Sequence, residues 1–433
     1  LLQFDCILYH NNFLLCLVQT SRQDKGQLRL SAEKLTAYFE IPQNRMDTIK
    51  NDNRLAGYIA MIVIVLMAIG TVFVFSAGAN LLGDLDLGRF YEFSSLRQIL
   101  FFPLACLIIY AVSQIDYRWF GLSRPWGKSP VSYLLVISIA LLIIVLFPQF
   151  GTEINYARRW LRIPLGPITL SFQPSELAKW SIIFFLAAFC SAFNDYIRFY
   201  WKTFIPLCFL IGLVVLLIIV EDFGTAAFVA LLSSLILIIA GVKFWHILTL
   251  LPFGIAALAA ALIYSPGRIR RIQAFLHPGQ WADSANYQAN QSLIALGSGG
   301  MFGTGLGKGI CKYGHLPEDT TDFIFAIIGE ELGLLGTATV IALFIAFVWL
   351  GILVVVRCQD RFGSLLASGI VLAIGAQAAI NIGVVTVVLP TKGIPLPFIS
   401  AGGTSMLLSA AAVGVLINIA KQSSQTELGD SGQ

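Results

Sequence analysis

"HLPEDTTDFIFAIIGEELG", residues 315–333, sets six acidic or histidine side chains at the mouth of an apolar run that continues to residue 356. They are His315, Glu318, Asp319, Asp322, Glu330 and Glu331. Hydrocarbon excludes charge, so these groups must be paired, protonated or turned toward a water-filled cavity. The run behind them is longer than the ~20 residues needed to cross a bilayer, so it is expected to tilt or to extend beyond the membrane.

The rest of the chain reads the same way. Its 433 residues are 57% hydrophobic and only 12% charged, with a mean hydropathy of +0.80. Soluble domains carry about 25% charged residues, so the solvent here is mostly lipid. Apolar windows fall at 55–76, 98–115, 131–149, 176–193, 204–220, 224–241, 245–264, 325–356, 363–389 and 402–420. Continuous apolar runs of this length satisfy their backbone groups in lipid only as helices. The expected class is all-α: ten transmembrane helices, with a large extracytoplasmic loop between helices 7 and 8. A net charge of +4 gives no ground for nucleic acid as a partner. Seven cysteines show no metal-ligand spacing, and Cys106, Cys190 and Cys208 sit inside apolar runs. Neither a disulfide framework nor a cysteine metal site is expected.

The first methionine is Met46, and the apolar patch before it is too short to span. We expect residues 1–45 to be a leader, 46–421 the membrane domain and 422–433 a disordered cytoplasmic tail. Orientation follows from the basic residues. With the N-terminus inside, the inner segments hold Lys50, Arg54, Arg118, Arg124, Lys128, Arg198, Lys202, Lys243, Arg357, Arg361 and Lys421. The short outer loops hold Arg89, Arg97 and Lys392. That bias puts both termini in the cytoplasm. Two basic segments, 150–175 and 265–322, then lie outside against the usual bias.

In the first of these, "NYARRWLRIPLGPITLSFQPSELAKW" (155–180), Arg158, Arg159 and Arg162 crowd Trp160. This reads either as interfacial anchoring or as an anion site for phosphate. Pro174 suits a helix start, Ser175 a cap and Glu176 the positive helix end. Lys179 follows three residues later on the same face, where pairing with Glu176 lowers the cost of a lysine in a span. The pair is either structural or a poised charge. "VEDFGT" (220–225) reads as a polar hairpin, with Glu221 and Asp222 capping or turning the chain. Arg268, Arg270 and Arg271 suggest an amphipathic surface stretch. The glycines of 297–309 lack a nucleotide-loop pattern and fit tight turns better. In "NIGVVTVVLPTKGIPLPFISAGGTS" (381–405), three prolines break the helix. Such backbone at membrane depth implies a groove lined by protein or water, with Lys392 at its rim. Asp322, at the outer mouth of span eight, is either part of a helix cap or a general base for an anionic, lipid-borne substrate.

Taken in order, "ARRWL", "FQPSELAK", "DFGT", "YQANQS", "GTGLGKG", "LPEDTTDFIFAIIGEELG" and "LPTKGIPLPFISAGGTS" resemble the SEDS family (shape, elongation, division and sporulation) from Leu55 to Lys421. "PTKG" before "PLPFIS" and "GEELG" after "DFIFAII" are closer to its division-type (FtsW) branch than to its elongation-type (RodA) branch. The resemblance implies a peptidoglycan glycosyltransferase that polymerises lipid II on the outer membrane face. The family's essential acid matches Asp322, its helix-borne acid and lysine match Glu176 and Lys179, and its Arg-Trp matches Arg159 and Trp160. The implied partners are lipid II, a class B penicillin-binding protein transpeptidase, other divisome proteins and the membrane lipid. Tyr156, Glu221, Asp319, Thr320, Ala401 and Thr404 depart from the family pattern. In the expected mechanism Asp322 deprotonates the acceptor sugar's 4-hydroxyl, and Arg, Lys or a divalent cation stabilises the leaving pyrophosphate. No dedicated set of metal ligands stands in the sequence, so Mg²⁺ or Mn²⁺ is only an alternative. A lipid II flippase or a divisome scaffold are the rival readings.

Overall fold

The computed structural model describes residues 52–78, 94–122, 129–154, 157–165, 168–250, 266–277, 286–312 and 320–430, together with Pro252, Gly254 and Ala256. The expected leader and residues 315–319 of the opening stretch lie outside them. The helices are α1 (Asp52–Gly78), α2 (Ser94–Val112), α3 (Pro130–Leu146), α4 (Pro174–Ala192), α5 (Ile205–Ile219), α6 (Phe223–Ile239), α7 (Phe244–Leu248), α8 (Pro266–Leu276), α9 (Tyr287–Ser298), α10 (Ile324–Arg357), α11 (Arg361–Val385) and α12 (Gly403–Asp430). Among the described residues six helices are long and apolar enough to cross a membrane, and three shorter apolar helices accompany them. The chain is a mostly helical, multi-pass membrane protein. The seventh expected span, 245–264, begins as α7 and then runs largely outside the described residues.

At the centre stands α4, with nearly every side chain from Pro174 to Cys190 buried. It packs against α3, α6, α11 and α12. Pro174 opens the helix, as expected, because its missing N–H would have no helical partner there. Ser175 does not cap it; its hydroxyl accepts a hydrogen bond from Gln173 Nε2 (3.0 Å).

A small sheet departs from the all-α expectation, and two helices show features of their own. The basic segment before α4 is a three-stranded antiparallel sheet: β1 (Gly151–Ile154), β2 (Ala157–Leu165) and β3 (Ile168–Phe172). Its register sets Leu161 opposite Phe172, Ile163 opposite Leu170 and Leu165 opposite Ile168. Leu161 and Phe172 therefore share one face, while Arg162 and Ser171 lie on the other.

Second, α10 is not one rod. Gly333 adopts φ 67°, ψ −158°, which breaks the helix into Ile324–Leu332 and Leu334–Arg357. At 1.5 Å per residue the first piece is only about 13 Å long, too short to span, whereas the second reaches about 36 Å. The glycine-rich turn after α9 fills the break. Thr304 N and Gly305 N donate to the carbonyls of Glu330 and Glu331 (2.9 and 3.0 Å), and Leu334 N and Leu335 N donate to Gly300 O and Met301 O (2.9 and 3.3 Å). The backbone groups orphaned by the break are thus satisfied by main chain.

Third, α12 continues to Asp430, into the tail for which composition predicts disorder. Extending an anchored helix needs no new nucleus.

Candidate active site

The α11–α12 loop carries Pro390, Pro395 and Pro397, which end the helix and withhold donors, so its carbonyls need partners from elsewhere. Gln377 and Asn381, one turn apart on α11, supply them. Gln377 Nε2 donates to Pro395 O (2.9 Å) and Asn381 Nδ2 to Ile394 O (2.8 Å). Asn381 Nδ2 also donates to Asp322 O (2.8 Å), which ties the loop to the mouth of α10. Ser400 Oγ reinforces this, donating to Thr321 O (2.5 Å) while accepting from Leu396 N (2.7 Å). Ala401 N reaches Thr320 O (2.8 Å). Within this strapping Val387 and Phe398 are held at φ 57° and 65°. A β-branched residue in that region is strained, and such strain persists only where the surroundings over-determine it.

The loop seats the key carboxylate. Asp322 is half-buried, and its carboxylate lies so close to the α-carbon of Gly393 that a β-carbon there would stand 2.7 Å from Oδ2. The adjacent Lys392 is also half-buried. Its ammonium sits 4.7 Å from the centroid of the Phe223 ring, a cation–π contact. Burial lowers its pKa from the ordinary 10.5, and the negative charge of Asp222 pulls the other way.

Asp222 has two jobs. It caps α6, with Oδ1 accepting from Thr225 N (3.1 Å) and Oδ2 from Thr225 Oγ1 (2.8 Å). It also lies 3.5 Å from Arg159 Nη1. Arg159 Nε donates to Glu221 O (2.9 Å), and Arg158 N to Glu221 Oε2 (2.6 Å), so β2 is pinned to the α5–α6 turn. The Arg159 side chain stays 38% exposed while that of Asp222 is only 8% exposed. The guanidinium therefore keeps an open face after its carboxylate partner is enclosed. Arg159, Asp222, Lys392, Gly393 and Asp322 form one continuous line of neighbours. Trp160, half-buried, occupies β2 opposite Thr152.

Glu176 and Lys179 reach this line through the interior. They are 5% and 1% exposed, and Lys179 Nζ donates to Glu176 Oε2 at 2.7 Å, the pairing their spacing predicts. Lys179 Nζ also donates to Gln377 Oε1 (2.9 Å), and Ser405 Oγ to Glu176 Oε2 (3.0 Å). The pair thus supports Gln377, which in turn holds the Pro395 carbonyl. Glu330 and Glu331 are buried too. Glu330 accepts from Ile310 N (2.7 Å) and Cys311 N (3.2 Å). Glu331 pairs with the buried Lys312 (3.0 Å) and accepts from Ser76 Oγ (2.8 Å). Glu331 is thus ion-paired, whereas Glu330 is held by backbone N–H donors.

The sequence reading passed over Gln377, Asn381 and Lys312; it took Asp222 for a capping or turn residue, which it is, but not for the partner of Arg159. A signal existed for two of them, because Gln377 and Asn381 are amides at i and i+4 inside an apolar run. Asp222 looked like an ordinary hairpin residue.

A family model described as "Cell cycle protein", covering FtsW, RodA and SpoVE, matches residues 57–425. The chain is 36% identical over 367 residues to "Stage V sporulation protein E" of Bacillus subtilis, covering 84% of this chain and 96% of that one. It is 39% identical over 371 residues to "Probable peptidoglycan glycosyltransferase FtsW" of Nitrosococcus halophilus, covering 84% and 91%. Among solved structures it resembles the rod shape determining protein RodA of Thermus thermophilus, with TM-score 0.57 and 25% identity over 84% of this chain and 96% of that one. It also resembles a chain of the structure described as "Structural coordination of polymerization and crosslinking by a peptidoglycan synthase complex", with TM-score 0.65 and 24% identity over 84% and 97%.

Proposed function

This chain belongs to the FtsW, RodA and SpoVE family of cell cycle proteins, and we propose that it is a peptidoglycan glycosyltransferase that polymerises lipid II into glycan strands for septal wall synthesis. Relatives named as such transferases support the activity. The observation that carries the chemistry is the half-buried Asp322 carboxylate, seated on Gly393 beside Lys392 at the mouth of a half-helix.

In this reading Asp322 accepts the proton of the acceptor sugar's 4-hydroxyl. The oxygen bonds to the anomeric carbon of the donor, and polyprenyl pyrophosphate departs with the bonding pair. General-base help of this kind is worth roughly 10²–10⁴ in rate. Arg159 and Lys392 take the developing pyrophosphate charge, where fixed cations act most strongly away from bulk water. Trp160 offers an apolar face to the lipid-linked sugar. Glu176 and Lys179, enclosed and bonded to each other, serve the substrate indirectly by holding Gln377 and the loop. Among the described residues no group of three or more His, Cys, Asp or Glu side chains stands together. Mg²⁺ or Mn²⁺ is an alternative partner for the pyrophosphate, since such an ion needs only one or two carboxylates beside substrate phosphates; no step is assigned to a metal.

The proposal includes ten spans, both termini in the cytoplasm, and an extracytoplasmic site, supported by the distribution of Lys and Arg. It includes a class B penicillin-binding protein and other divisome proteins as partners. A second reading, movement of lipid II across the bilayer, draws on the broken α10, since discontinuous helices are common in transporters. The test is purified protein with labelled lipid II, assayed for polymer and, in vesicles, for flipping. Folded Asp322→Asn protein should make no polymer; unimpaired polymerisation by it would end the catalytic assignment.

A further inference from the structure

At the far end of α4 from Glu176 a cavity of about 390 Å³ opens between that helix and the start of α5. Phe185 and Phe189 on one face of α4, and Phe193 at its C-terminal cap, line it with Tyr196, Leu207 and Lys202. One wall is a π-helical turn, Tyr200–Phe204, a geometry that recurs at functional sites. Thr203 also lines the cavity, but its hydroxyl is engaged with Tyr196 O (2.8 Å). Among the described residues Lys202 is the one charged residue of the lining.

Further cations gather at the same end. Lys202 and Arg198 are exposed, and neither enters an ion pair among the described residues. Arg361 donates through Nη2 to Ala240 O (2.8 Å), its Nε is buried without a partner, and it lies within electrostatic reach of Arg198. Lys243 acts electrostatically on His246, whose ring packs on Tyr200 and Phe204. The opposing charges are Asp195, within reach of Arg361, and Asp360, which caps α11 beside it.

We propose that this groove holds one acyl chain of an anionic membrane phospholipid, whose phosphate is bound by Lys202 and Arg198. A slot that is mostly aromatic and aliphatic suits a hydrocarbon chain. The surplus of cations at its mouth suits a headgroup of net negative charge and disfavours one that carries its own cation. Basic pockets between membrane helices bind anionic lipid headgroups on this physical ground. In the orientation proposed above, the lipid belongs to the cytoplasmic leaflet. The site does not depend on the catalytic assignment.

The test uses the full chain in nanodiscs with two photoactivatable lipids, phosphatidylglycerol and phosphatidylcholine, each bearing a diazirine on the same acyl chain. Mass spectrometry maps the labelled peptides. Phosphatidylglycerol should label residues 185–210 roughly tenfold more than phosphatidylcholine. The surface double variant Lys202→Glu/Arg198→Glu should abolish that preference. Leu207→Trp fills the slot and should remove labelling by both lipids; Leu210→Phe, a milder change to the same wall, should reduce it. Equal labelling of the native protein by the two lipids would overturn the proposal. So would labelling that persists in both slot-filling variants while thermal melting shows them folded.

Discussion

Replacing Gly393 with alanine tests the seat of the Asp322 carboxylate with a single methyl group. The added β-carbon would meet Asp322 Oδ2 at 2.7 Å, whereas ordinary contact begins at 3.4 Å. The carboxylate must therefore withdraw by 3.4 − 2.7 = 0.7 Å. A misplacement of about 1 Å at a reacting group can cost ~10²-fold, so a loss of roughly 10- to 100-fold is expected, equivalent to about 1.4–2.8 kcal/mol of barrier. The fold should tolerate the change. Gly393 is exposed and is not among the residues of positive φ, so alanine meets neither a packed core nor a forbidden backbone. Exposed substitutions of that kind usually stay within about 0.5 kcal/mol. The assay is steady-state polymerisation of labelled lipid II, with thermal melting alongside. We expect kcat to fall by that factor, KM to change little and the melting temperature to hold. Native kcat in a folded Gly393→Ala protein would refute the idea that the position of this carboxylate sets the rate.

Lys179→Met leaves the enclosed carboxylate of Glu176 without its cation, a change that typically costs about 3–5 kcal/mol; melting should show it, and adding Glu176→Gln should restore much of the loss. Gly333→Ala combines a backbone region open essentially to glycine with a β-carbon 2.4 Å from Gly303 N; it should sharply reduce the yield of folded protein, read by size-exclusion chromatography. Lys392 carries charge only below its pKa, which burial lowers from 10.5. KM for the pyrophosphate-linked donor should therefore rise on an alkaline limb that begins below pH 10.5, and Lys392→Arg, charged throughout, should abolish that limb.

What could be read in the chain followed from local periodicity. The long apolar runs placed the helices, and the i, i+3 spacing of Glu176 and Lys179 announced their contact. Asp322 stood out because a carboxylate beside an apolar run demands an explanation. The sheet was written in the alternation of Ile168, Leu170 and Phe172, but the arginines of β2 drew the eye toward anchoring. The break in α10 was hidden because glycine within an apolar run is as compatible with continuous helix as with a kink. Only the distant turn at Gly303 decides between them. The partnerships of Lys179 with Gln377 and of Arg159 with Asp222 join segments far apart in the chain. No pattern of spacing encodes them.

The filled gap at Gly333 also dictates how this part of the molecule can come apart. Four of its crossing bonds join main-chain atoms and a fifth runs from Thr304 Oγ1 to Glu330 O (3.1 Å), with Gly303 and Gly333 each lacking room for a β-carbon. Apart from Thr304 and the Glu330 carboxylate, which accepts from Ile310 N, exchange of one side chain for another has little to act on in this joint. If the turn lifts away, Glu330, Glu331, Leu334 and Leu335 lose their partners together, in a setting where bare peptide groups are costly. The joint therefore behaves as a latch with two positions, and the acid-bearing end of α10 is held true only while it is shut.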